Sequence, residues 1–286
     1  MENSQQLTQL LQLEKIEENI FRGHNYLAPW GAVFGGQVLA QALHAAYQTV
    51  PSDRYAHSMH AYFILRGDLD HPIIFDVDRI RDGGSFTTRR VVAIQKGRPI
   101  FNFSASFQLQ QEGFDHQIAM PNVMPPDNLM TDEELAASWK DAPKMFKRFR
   151  AQRPIEFRPV EMVHPFEEKQ YQPFRHVWFK AKGAMSDDIS LHQTFLAYAS
   201  DYNLLGTALL PHRHIANYGD IQIASLDHGM WFHRNFRMDD WLLYALDSPS
   251  ASNSRGFTRG NIFSKDGILV ASVVQEGMIR KKRKSS

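Results

Sequence analysis

The feature that most limits what this chain can fold into is one layout of elements that occurs twice. The first copy reads "AYFILRGDLDHPIIFDVDRIRDGGSFTTRRVVAIQKGRPIFNFSASFQ" and the second "GMWFHRNFRMDDWLLYALDSPSASNSRGFTRGNIFSKDGILVASVVQ". Each opens with an aromatic-rich strand ending in arginine, Arg66 and Arg234. An apolar strand follows, Ile73 to Val77 and Trp241 to Leu246. A small-residue turn, an arginine-bearing strand and a glycine turn (Gly97, Gly267) come next, and a strand ending in glutamine closes each copy (Gln108, Gln275). The two arginines lie 168 residues apart and the two glutamines 167. Such constant spacing over roughly 45 residues is the signature of a tandem duplication.

A helix precedes each copy. "GGQVLAQALHAAYQTV" starts at Gly35-Gly36, is rich in helix formers and stops before Pro51. "SDDISLHQTFLAYASDYNLL" carries Ser186 and two aspartates at its start, as capping and the helix dipole favour. Both are apolar over most of their circumference, so both are expected to be buried. A buried helix followed by long antiparallel strands predicts an α+β fold in which a sheet wraps its helix, twice over. The expected division is an N-terminal repeat over 1–110, a connector over 111–170 with a helical piece in "TDEELAASWKDAPKMFKRF", and a C-terminal repeat over 171–286.

Composition narrows the partners. The formal net charge is +1 over 286 residues, so no bulk field draws nucleic acid or an anionic membrane. Five consecutive cations from Arg280 to Lys284 read as a solvated tail or as a contact to phosphates. Cysteine is absent, which removes disulfides, thiolate metal ligands and a cysteine nucleophile, and fits a reducing compartment. The amphipathic N-terminus lacks the pattern of a secretion signal, and no apolar run reaches transmembrane length, so a cytoplasmic protein without membrane insertion is expected.

Thirteen histidines invite a metal reading, but "HSMH", "HRH" and "DHGMWFHR" lack the spacing of a zinc site, and no metal is expected. No Gly-x-Ser-x-Gly elbow, Walker loop or dinucleotide fingerprint occurs, and no cofactor is expected. The unusual residue is Asp201, one carboxylate inside the apolar run "FLAYASDYNLLG". Burial and a position near a helix C-terminus both push its pKa upward, the direction a general base needs. Ser225 and Gln275 lie on strands of the same copy and read, taken alone, as ordinary sheet polarity. Gly35-Gly36 reads either as close helix packing or as a helix N-terminus whose N–H groups polarise a carbonyl.

At these residues the chain resembles the bacterial acyl-CoA thioesterase II family and its eukaryotic peroxisomal relatives. The segments that carry the resemblance are "VFGGQVLAQAL", "HSMHAYFILRGD", "RDGGSFTTRRVVAIQKG", "YASDYNLL", "SLDHGMWFHR" and "ASVVQEG", in order along nearly the whole chain. The resemblance implies a double hotdog fold, hydrolysis of medium- or long-chain fatty acyl-CoA, and a site formed by Asp201, Ser225 and Gln275. Serine stands at a position that is threonine in some relatives, and a hydroxyl is kept either way. The expected mechanism is direct attack by water, with Asp201 as base, Ser225 and Gln275 fixing the water, and backbone N–H groups of Gly36 and Gln37 receiving the oxyanion. The competing readings are a hotdog acyl-thioester dehydratase or hydratase and a non-catalytic acyl-CoA-binding module. A homo-oligomer, dimer or tetramer, is expected. The aromatic-rich second half is expected to supply the acyl channel. The first half is expected to lack a site of its own, because Ala46 and His57 align with Asp201 and Ser225 while Gln108 matches Gln275.

Overall fold

Helix-forming runs and alternating strand patterns assemble here into one continuous antiparallel sheet wrapped around a pair of helices. The computed structural model describes all residues except 28–30, 140–152, 165–166, 216–219 and 283–286. The first half contains α1 (Ser4–Leu11), β1 (Glu14–Glu17), β2 (Ile20–Gly23), α2 (Gly35–Tyr47), β3 (Arg54–Phe63), β4 (Ile73–Asp82), β5 (Phe86–Gln95) and β6 (Arg98–Leu109). After α3 (Asp132–Ser138), the second half contains β7 (Ile155–Pro159), β8 (Phe174–Ala181), α4 (Ile189–Ser200), α5 (Leu204–Leu209), β9 (Ile221–Ser225), β10 (Asp227–Phe232), β11 (Leu242–Ser252), β12 (Arg255–Ser264) and β13 (Leu269–Lys281).

Strand order makes the duplication visible in space. The sheet runs β1-β2-β4-β5-β6-β3-β10-β13-β12-β11-β8-β7, with β9 paired to β13 off that path. Read outward from the β3–β10 junction, each side has the same sequence of strand types, so the two halves are related by an approximate two-fold. The junction is a true ladder: Gly229 faces His60 and Met230 faces Met59. The strand β7 falls inside the interval expected to be connector, yet it pairs with β8 as β1 pairs with β2. Its alternating burial, Ile155 and Phe157 inward, explains the pairing.

The helices α2 and α4 occupy the concave side and pack against each other in antiparallel fashion, because the start of α2 meets the end of α4 and the end of α2 meets the start of α4. One apolar cluster spans both halves and includes Leu39 and Leu43 of α2, Phe195 and Leu196 of α4, and Phe101, Phe103, Tyr244 and Val273 of the sheet. Burying each such large side chain contributes about 1.5–3 kcal/mol, so neither helix needs intrinsic helicity to persist.

Several boundaries differ from the sequence expectation. The second of the two aspartates expected at the start of α4, Asp188, is its cap and accepts the Ser190 N–H at 2.9 Å, while Ser186 lies ahead of the helix. The helix stops at Asp201 instead of running on: Asn203 adopts φ +69°, and Leu204 begins a new helix. Arg66 and Arg234 lie beyond the ends of β3 and β10. Gln275 sits within β13, which continues to Lys281, so the first two cations of the basic run are strand residues and Arg280 donates to Gln222. Arg283 and Lys284, like residues 140–149 of the expected connector helix, lie outside the described residues.

Candidate active site

The end of α4 places Asp201 where the two halves meet. Its Oδ2 accepts the Gly36 N–H at 2.9 Å, from the first turn of α2 and 165 residues away in sequence. A helix N-terminus presents free N–H groups and partial positive charge, so a carboxylate is a suitable partner. Oδ1 accepts Gln275 Nε2 from β13 at 3.3 Å. The same Nε2 donates to Ser225 Oγ at 2.6 Å, and the Ser225 hydroxyl directs its own hydrogen bond to Asp201. Burial pushes the Asp201 carboxyl up to about 6, opposed by the hydrogen bonds from Gln275, Gly36 and Ser225. A carboxyl at that value is ionised at neutral pH and basic enough to accept a proton.

The three side chains proposed from sequence thus come together. Each reaches the site by a different local device. Asp201 is the C-cap of α4. Gln275 points inward from mid-strand, 1 % exposed. Ser225 closes β9, opposite Gly277, just before the chain steps into β10. The step is stitched in place, since Leu226 N–H donates to Glu276 O and Leu226 O accepts the Phe63 N–H.

Gly35-Gly36 is required by close approach. A Cβ on Gly35 would lie 2.7 Å from Asp201 Oδ2, and one on Gly36 would collide with the Tyr198 carbonyl oxygen. The two N–H groups expected to receive an oxyanion have other partners: Gly36 donates to Asp201 and Gln37 to Phe34 O. That expectation is corrected accordingly, because an N–H already bonded to a carboxylate is not open to a second acceptor. The buried Gln37 side chain instead ties down the preceding loop through His24 O and Asn25 Oδ1.

Asp201, Ser225 and Gln275 border a cleft of about 770 Å³. Its apolar lining comes from both halves, with Phe34, Val38, Phe63 and Phe101 on one side and Leu205 and Ile223 on the other. The apolar wall of this cleft is therefore chiefly a first-half surface, whereas the aromatic-rich second half was expected to supply an acyl channel. Gly35-Gly36 could have signalled this, since a helix start that tolerates no side chain must have a neighbour against it.

A histidine was missed. His228 is 1 % exposed and touches Gln275 Oε1 with Nδ1 at 3.2 Å and Ser200 Oγ with Nε2 at 3.0 Å. Both ring nitrogens are engaged away from the cleft, so it is not placed to protonate a bound thioester. Among the described residues no three His, Asp or Glu side chains gather as a metal site, and no helix is long and apolar enough to cross a membrane.

Comparison with known proteins agrees with the geometry. A family model described as "Acyl-CoA thioesterase N-terminal domain" matches residues 26–108, and one described as "Acyl-CoA thioesterase" matches residues 145–278. The chain is 43% identical over 278 residues to "Acyl-CoA thioesterase 2" of Haemophilus influenzae, covering 96% of each. It is 41% identical to human "Acyl-coenzyme A thioesterase 8", covering 96% of this chain and 89% of that one. Among solved structures, an acyl-CoA thioesterase II (TesB2) from Mycobacterium marinum superposes with a TM-score of 0.80 at 41% identity, over 97% of this chain and 99% of that one. A hotdog-fold protein from Alicyclobacillus acidocaldarius superposes at 0.76 with 18% identity, over 96% and 98%, which identifies the fold. The architecture is the double hotdog, and the chain belongs to the acyl-CoA thioesterase family of thioester hydrolases.

Proposed function

We propose that this chain hydrolyses medium- or long-chain fatty acyl-CoA by direct attack of water, with Asp201 as the general base. The observation that carries the reading is the Asp201 carboxylate, held from three sides by Gly36, Gln275 and Ser225 at the wall of an apolar cleft. Water donates a proton to Asp201 while its oxygen attacks the thioester carbonyl carbon. The tetrahedral intermediate then expels the sulfur, which takes the proton back from Asp201 as the C–S bond breaks. The products are the fatty acid and the CoA thiol. Ser225 and Gln275 orient the carboxylate and the water, so the entropy of arranging them is lost before the reaction begins. The first-half wall of Phe34, Val38 and Phe63 receives the acyl chain and excludes bulk water.

Ser225 is not read as a nucleophile, since its oxygen accepts from Gln275 and no histidine faces it as base. The division expected as 1–110 and 171–286 belongs to the same proposal, with the second repeat extended back to β7 at Ile155 because that strand pairs with β8, and with Asp201, Ser225 and Gln275 carried on it. So do a cytoplasmic location, supported by a chain without cysteine, and a dimer or tetramer, which light scattering would read.

The test is purified protein with a long-chain acyl-CoA, followed by free thiol and by intact mass. Thiol release at unchanged protein mass is expected. Hydration of an enoyl thioester without thiol release would move the chain to the hydratases, and binding without turnover to the acyl-CoA-binding modules. An acyl increment on Ser225 would overturn direct water attack.

A further inference from the structure

The carboxamide of Gln275 has two possible orientations, and the site works with one of them. Nε2 must face Asp201 and Ser225, because a carbonyl oxygen there would stand against the carboxylate. Oε1 then faces His228 Nδ1 at 3.2 Å, a contact that is attractive when Nδ1 carries a hydrogen. With the opposite tautomer two lone pairs would meet, and the amide would gain by turning over. The neighbour at the other ring nitrogen is Ser200, whose hydroxyl is 0% exposed and has one hydrogen for two acceptors at 3.0 Å, the Ala197 carbonyl oxygen and Nε2. The carboxylate that turns Gln275 Oε1 toward Nδ1 favours the ring's hydrogen on Nδ1, and Ser200 completes that arrangement when it turns its hydrogen from Ala197 O to Nε2. Ser200 is adjacent in sequence to Asp201, and Tyr244 Oη donates to the Ser200 carbonyl at 3.1 Å, fixing this turn of α4 against the sheet.

We infer that His228 is a positioning residue for the hydrolysis: a relay from the Ser200 hydroxyl through His228 to Gln275 locks the carboxamide so that its N–H groups hold Asp201 and Ser225. The inference rests on the proposed roles of those residues. Burial supports it, since it holds the imidazole down at about 4 and so leaves the ring neutral with a single N–H. His228 touches neither the cleft nor the substrate and acts through Gln275. The relay gives a reason for a buried histidine that metal binding does not use.

The test compares His228→Leu, which removes both contacts, with His228→Asn, whose amide nitrogen can stand where Nδ1 does. His228→Leu should lower kcat about 10- to 100-fold with KM within about twofold, the scale expected when a reacting group loses its alignment. Its acid limb should also move to higher pH, because Asp201 loses the Gln275 hydrogen bond that holds its carboxyl down. The titratable groups that interact with Asp201 are Tyr202, raised to about 12, and Tyr244, raised well above the usual phenol value, and neither titrates in this range; the Arg66 guanidinium lines the same cleft. His228→Asn should recover most of kcat and restore the limb. In a Gln275→Ala background, His228→Leu should cost nothing further. Equal losses in the two variants, an unmoved limb, or additive losses in the double variant would overturn the relay. If His228→Leu does not fold, ¹⁵N shifts of the wild-type protein, assigned through His228→Asn, decide directly: a protonated Nδ1 is expected, and a protonated Nε2 contradicts. Asp201→Asn is measured alongside. Full activity there removes the underlying reading, whereas an inactive Asp201→Asn with indifferent His228 variants removes the relay alone.

Discussion

The two ends of the α2–α4 pair are the same place in the two copies, and they hold different chemistry. At one end the last turn of α4 brings Asp201 to the Gly36 N–H of α2. At the other the last residue of α2, Tyr47, donates its hydroxyl to Gln193 near the start of α4 and accepts the Ala56 N–H at 2.8 Å. Gln193 in turn donates to Ala56 O at 2.9 Å. At this second end Tyr47, Gln193 and the Ala56 backbone satisfy one another, and burial holds the phenol protonated, while the nearby His57 keeps a buried Nε2 without a hydrogen-bond partner among the described residues. It too borders a cleft, of about 560 Å³, lined by His57, Gln108, Gln193 and Arg234, with Glu112 exposed at its rim. The lesson is that duplication supplied two equivalent positions, and one was filled by a carboxylate with a raised pKa while the other was filled by a satisfied hydrogen-bond network. On the proposed mechanism the first acts on the substrate. The second holds the halves together.

The sharpest way to break that comparison is to treat the paired glutamines alike. Gln275→Ala and Ser225→Ala should each lower turnover about 10- to 1,000-fold, while Gln108→Ala, whose side chain bonds the exposed Gln111, should stay within about twofold. Comparable losses at Gln108 and Gln275 would mean that both clefts turn over substrate.

The pH profile sharpens it further. With the Asp201 carboxyl at about 6, the base is ionised above that pH and protonated below it, so kcat/KM should fall about tenfold per pH unit below 6. A flat profile down to pH 4.5 would remove Asp201 as the base.

Stability should change with opposite sign at the two ends. The raised pKa of Asp201 means its ionisation costs stability at pH values above the unfolded carboxyl value, fully so above about 6. Asp201→Asn removes that cost, so it should raise stability at pH 7 by on the order of 1–3 kcal/mol, and the gain should vanish below about pH 4. Tyr47→Phe takes the hydroxyl away from the Ala56 N–H and from Gln193 Oε1 and should lower stability by about 1–3 kcal/mol without touching activity. Thermal unfolding of both variants at pH 7 and pH 4 reads the signs, and a destabilised Asp201→Asn would contradict the account.

The sequence carried much of this. Constant spacing exposed the duplication, and a lone carboxylate in "FLAYASDYNLLG" exposed Asp201, because an apolar run makes one charge conspicuous. Three things were not legible. The strand through "IQIASLDHGMWF" is two strands broken at Leu226, so Ser225 belongs to β9 while the aligned His57 sits at a bulge in β3, between Ala56 and Ser58. The use of the Gly36 N–H by Asp201 depends on how two helices cross, a property of packing over 165 residues. The His228 contact joins two strands through side-chain geometry, to which periodicity is blind. The repeat pattern fixes which elements exist. Which side chains meet is decided by the curvature of the sheet and the antiparallel helix pair it encloses.

The central claim is one working site per chain, with Asp201 as its base. It is tested most directly by free-thiol release from Asp201→Asn across a range of acyl-CoA concentrations, with folding confirmed by circular dichroism. The account predicts a kcat about 100- to 10,000-fold below wild type at all concentrations. A residual kcat near half of wild type with an unchanged KM would show that the first half carries an independent site, and the account would be wrong.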